Sequence, residues 1–62
     1  MTIYLHDQAK RLLESDAIPI NSIGVCRARY GWAYWFYDGS IFDSGVKSTE
    51  GQALRTAKMN LR

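Results

Sequence analysis

The side chains that carry reactive or ligand chemistry are few and scattered. His6 and Asp7 are adjacent, and an imidazole beside a carboxylate is a pairing used in general acid–base catalysis. Neighbouring residues of a helix point about 100° apart, so on the helix expected here the two groups do not face each other. Cys26 is the single cysteine. A nucleophilic thiol needs a base beside it, and the neighbours expected on its helix-covered sheet face, Ala28 and Trp35, make it a small buried hydrophobe instead. One cysteine and one histidine cannot supply the four ligands of a structural zinc site. Asp38, Asp43 and Glu50 fall on a turn, a strand and a helix start, without calcium-loop spacing, and no glycine-rich phosphate loop occurs. The residues therefore predict a protein that is not an enzyme, with no catalytic residue, metal or cofactor.

Contact chemistry is better represented. Arg27 and Arg29 precede Trp32, Tyr34 and Phe36, all at the alternate spacing that shares one face of a sheet. Cations beside rings suit a single-stranded nucleic acid, whose phosphates they neutralise and whose bases stack. The same residue types dominate protein–protein hot spots. Arg55 and Lys58 lie three apart and Arg62 follows at the next turn, a basic stripe on a final helix. From Arg27 onward the chain holds six basic and three acidic residues, against two and three before it, within an overall charge of +2. Lys47, Arg55, Lys58 and Arg62 thus join Arg27, Arg29, Trp32, Tyr34 and Phe36 as candidate contact residues.

The elements that would position these residues follow from periodicity. Leu5, Ala9, Leu12 and Leu13 recur at helical spacing, predicting a helix over about 2–14 with Thr2 as a possible N-cap. A connector containing Pro19, the single proline, follows. Residues 23–29 and 32–37 are rich in β-branched and aromatic types and predict two strands broken at Tyr30-Gly31. Asp38-Gly39 signals a two-residue hairpin turn into a third strand over 40–44. Thr49 and Gln52 have capping-box spacing at the start of a helix over about 49–61. The expectation is one α+β domain, residues 1–62, in the order α-β-β-β-α, with a three-stranded antiparallel sheet and both helices on one face.

Two-residue turns would pair Trp35 with Phe42 and Cys26 with Trp35. Gly24, Cys26, Ala28, Ala33, Trp35, Tyr37, Phe42 and Ser44 then form the helix-covered face. Ile23, Val25, Arg27, Arg29, Trp32, Tyr34, Phe36, Ile41 and Asp43 form the open one. A register off by one would exchange the faces.

Sixty-two residues at 7.1 kDa allow one small domain. Hydrophobic residues at 47% and charged residues at 23% are ordinary globular usage, which excludes a disordered, collagen-like or coiled-coil chain. No apolar run reaches membrane-spanning length and no secretory pattern opens the chain, so the expectation is a cytoplasmic protein that does not engage a membrane.

The α-β-β-β-α order, with Gly45, Ser48, Ala53 and Ala57 between Phe42 and Leu61, resembles the double-stranded-RNA-binding domain. In that family a hairpin leads through a Gly-x-Gly-x-Ser-Lys-Lys segment into an Ala-rich helix; Thr49-Glu50 stands here at the lysine pair. The run Gly31-Trp32-Ala33-Tyr34-Trp35-Phe36-Tyr37, followed by Asp38-Gly39, Ser44-Gly45 and a helix containing Ala53, is similar to the arm-type DNA-binding domain of phage integrases. That resemblance implies a sheet entering the major groove, with Arg27 and Arg29 on bases or phosphates. The layout also resembles small phage accessory proteins that inhibit a host enzyme or defence complex. The resulting expectation is a non-catalytic binding module that docks nucleic acid on an aromatic, arginine-bearing sheet face. The alternative is a protein-interaction or inhibitor module acting on a host protein, with a homodimer possible.

Overall fold

The computed structural model describes residues 1–60. The chain runs β1 (Thr2–Leu5), α1 (His6–Ser15), β2 (Ser22–Ala28), β3 (Gly31–Tyr37), β4 (Phe42–Lys47) and α2 (Glu50–Asn60). The four strands form one sheet in the order β1-β2-β3-β4. β1 is parallel to β2, and the other two pairings are antiparallel. The domain is a small α+β unit, but it has one strand more than the three-stranded sheet expected, and the sheet is mixed. Among the described residues no helix is long and apolar enough to cross a membrane.

The extra strand comes from the segment assigned to the first helix. Thr2, Ile3 and Tyr4 are β-branched or aromatic, and they pair with Ser22, Ile23 and Gly24. Thr2 is therefore a strand residue and not an N-cap. The helix starts at His6, whose φ of 58° turns the chain directly from strand to helix. Leu5 occupies the N-cap position without a side-chain hydrogen bond. At the other end Asp16 closes α1 in the left-handed conformation.

Both hairpin registers differ from those expected by two residues. At the first, Ala28 pairs with Gly31 and Gly24 with Trp35, leaving Arg29-Tyr30 as the turn. Neither turn residue has positive φ, and the reversal is taken up by Gly31 at +152°. At the second, Tyr37 pairs with Phe42 and Trp35 with Ser44, so 38–41 is a four-residue loop and β4 starts at Phe42, not at 40. The Asp38 carboxylate accepts the backbone N–H of Ser40 (2.8 Å) and of Ile41 (2.7 Å), which stabilises this wider loop in place of a two-residue turn. Slips of two preserve the side-chain faces, because the strand period is two.

The larger correction concerns the helices, which cover opposite faces of the sheet. α1 packs Ala9 against Cys26 and Trp35, with Tyr4, Leu12, Leu13, Ile18 and Ala33 around them. α2 packs Ala57 against Ile23 and Phe36, with Tyr34 and Leu54 alongside. The face expected to be open is therefore closed along its apolar part, where Ile23, Val25 and Phe36 are buried. Ala9, Ala53 and Ala57 are fully buried, so both helices meet the sheet through small side chains and approach it closely. The α2 start is capped as expected on one side: the Gln52 N–H donates to Thr49 Oγ1 at 3.2 Å. The Gln52 side chain meets the Ser48 hydroxyl (2.8 Å) instead of closing the box. The helix was expected to reach 61; Leu61 and Arg62 lie outside the described residues.

Candidate nucleic-acid interface

The strand pairings gather one cluster at a single end of the sheet. Arg27 of β2 lies opposite Trp32 of β3, and Trp32 lies opposite Lys47 of β4. These three form a row across the face that α2 covers farther along. The Arg27 guanidinium stands 5.5 Å from the centre of the Trp32 ring, within cation–π range. His6 meets the same ring edge-on, with centroids 6.3 Å apart. Its Nε2 lies 4.0 Å from Glu50 Oε2 at the start of α2.

The β2–β3 turn completes this end. Arg29 and Tyr30 are both exposed there, and the guanidinium lies 5.7 Å from the tyrosine ring centre. Tyr30 is 85% exposed, the most exposed large side chain of the chain's described aromatics. Both helices begin at this same end, because α1 follows β1 directly and α2 follows the end of β4. Their N-terminal dipole ends add positive potential to three cations, and the only acids in those first turns are Asp7 and Glu50. The opposite end carries Asp16, Asp38 and Asp43, beside a cavity of about 260 Å³ lined by Asp16, Ile18, Tyr37 and Phe42.

Of the residues singled out in the sequence, Arg27, Arg29, Trp32 and Lys47 come together here. Tyr34 is half-buried, its ring lying over Gly45 and against the Ile23–Phe36–Ala57 cluster. Phe36 is 7% exposed beneath α2, so its ring forms core and not contact surface. Arg55 and Lys58 stand farther along α2, on a shallow groove of about 350 Å³ with Gly51, Leu54 and Met59. They stand apart from the cluster, because α2 runs from the cluster's end of the sheet toward the other. Arg62 lies outside the described residues. His6 and Tyr30 were not anticipated as contact residues. The signal for Tyr30 was the Arg-Tyr-Gly triplet itself, a turn that must expose both large side chains. His6 had none, because its ring reaches Trp32 only through a strand that periodicity does not announce.

Cys26 is buried, and burial raises its thiol pKa, opposed by Lys10 and reinforced by Glu14. Among the described residues no three His, Cys, Asp or Glu side chains gather as a metal site requires. No protein-family model, curated protein or solved structure matches the chain.

Proposed function

We propose that this protein is a non-catalytic binding module that docks single-stranded nucleic acid on the end of the sheet formed by Arg27, Arg29, Tyr30, Trp32 and Lys47. The observation that carries the reading is the alternation of cations and rings across one edge: Arg27 on Trp32, Lys47 beside Trp32, Arg29 on Tyr30. Guanidinium groups already resting on aromatic faces can turn to phosphates while bases take their places on the rings, and each stacked base contributes about 1–3 kcal/mol. The two converging helix N-termini favour the same anionic partner. Duplex recognition in a groove is less well supported, because the aromatic run behind Trp32 is covered by α2.

Two variants test stacking directly. Tyr30→Ala and Trp32→Ala should each weaken single-strand binding roughly tenfold or more while affecting duplex binding little, read by fluorescence anisotropy of labelled oligonucleotides. Equal losses on both substrates would remove stacking from the account. A second reading, a protein-interaction module, is favoured by a different surface, the exposed Ile41, Phe42 and Val46 of the β4 region.

A further inference from the structure

β4 is an edge strand: among the described residues nothing pairs its outer side. An edge of six residues offers unpaired N–H and C=O groups to another chain unless something blunts it. Proline, a bulge or a covering loop would do so, and β4 has none of these; it pairs with β3 without interruption from Tyr37↔Phe42 to Trp32↔Lys47. Of its outward groups the Ser44 N–H is occupied, donating to the Asp43 carboxylate of its own chain at 2.8 Å, a bond that Asp43 exchanges for the partner's Lys47 when the edges pair. On its α1 side it presents Phe42 and Val46, 47% and 56% exposed. Ile41 and Ile20, 60% and 68% exposed, extend the apolar surface beside the 38–41 loop. α1 packs on β1, β2 and the Trp35 ring of β3 and leaves this part of the face bare.

The charges on β4 decide what fits it. Asp43 and Lys47 lie four residues apart on the same face, with Gly45 midway. If two β4 strands pair antiparallel about Gly45, each Asp43 falls opposite the partner's Lys47, and like charges nowhere oppose. Each Ser44 then falls opposite the partner's Val46. A two-fold axis perpendicular to the sheet keeps each face continuous, so Phe42 and Val46 of both copies lie on one side. Gly45 at the axis is already roofed by Tyr34 of its own chain, so the close approach there involves backbone and not competing side chains. Edge charges of this kind normally repel a neighbour, and here the spacing makes them self-complementary.

We propose that β4 is a self-association edge, through which two copies of this chain pair antiparallel about Gly45 into one continuous eight-stranded sheet. The basic ends of the two copies then point in opposite directions along the strands. The proposal does not depend on nucleic-acid binding, and its test is run without any.

Sedimentation equilibrium of the full chain, from roughly 10 μM to 1 mM at low salt, should show the mass rising from 7.1 kDa toward twice that value. Asp43→Lys and Lys47→Asp should each weaken the dimer about tenfold or more, since the symmetry applies each change twice. The double variant D43K/K47D should restore it to within about threefold. Amide exchange of the unmodified chain gives a second readout, in which protection of β4 must grow with protein concentration. A chain monomeric throughout the range overturns the proposal. So does a dimer indifferent to both single changes, one that the double variant does not restore, or one that forms without added protection in β4.

Discussion

A methyl group added at Gly24 would run into the Trp35 ring, which is fully buried over that position. Gly24→Ala should therefore destabilise the fold by about 1–3 kcal/mol in urea unfolding, with an unchanged slope. Gly45→Ala meets the hydroxyl and the adjoining ring edge of Tyr34, a half-buried ring that can swing outward where buried Trp35 cannot, and should cost less; equal costs would contradict the packing described. Cys26 is buried and its thiol pKa is raised by desolvation, so little thiolate is present near pH 7. A disulfide reagent should label it slowly in native buffer and at once in denaturant; rapid native labelling would show an exposed thiol and a different α1 face. Asp38 has the opposite shift, held low by the Ile41 and Ser40 N–H groups. A carboxyl whose pKa is lower in the folded state adds stability above its unfolded value, and this is lost as pH falls through the folded value. Asp38→Asn should consequently flatten the fall in stability below about pH 4, as followed by denaturant titrations at stepped pH.

Asp16 ends α1 with φ 60°, a conformation glycine adopts without strain, and it sets a negative charge at the negative end of the helix dipole. Asp16→Gly should raise stability by about 0.5–1 kcal/mol, a few degrees in Tm by circular dichroism; a fall would contradict this cap. At the same scale, the sequence makes β2, β3 and α2 readable, because β-branched and aromatic runs, Thr49 with Gln52, and the apolar spacing of α2 all agree. β1 is hidden because it has four residues, no turn residue separates it from α1, and Leu5 shares its spacing with Ala9, Leu12 and Leu13. Without β1, nothing in the pattern shows that the β1–α1–β2 crossover places α1 on one face and leaves the other to α2. At Asp38-Gly39 the register departs from the two-residue expectation because a side-chain carboxylate, and not a mirror-image turn, satisfies the loop. The paired residues nonetheless keep their expected faces, since both shifts are even, while Arg29 and Ile41 fall in the turns and belong to neither face.

Taken whole, the molecule is polarised along its strands, with Arg27, Arg29 and Lys47 beside both helix starts, whose first turns hold Asp7 and Glu50, at one end, and Asp16, Asp38 and Asp43 at the other, toward which α2 carries Lys58. Alternation along the strands was enough to bring Arg27 and Trp32 into one candidate site. It could not remove Phe36 or half-bury Tyr34, because that depends on where α2 crosses, and it could not add His6. The polarity has a measurable consequence. If three cations neutralise three phosphates of a single strand, affinity should fall about 20-fold between 50 and 200 mM salt, and each cation removed should lower the logarithmic slope by about 0.7. The most direct measurement is anisotropy of a labelled single-stranded oligonucleotide titrated at both salt concentrations with the parent chain and with Arg27→Ala, Arg29→Ala and Lys47→Ala. The account predicts saturable binding of that salt dependence, with a shallower slope in each variant; no saturable binding at 50 mM, or a slope unmoved by all three changes, would contradict it.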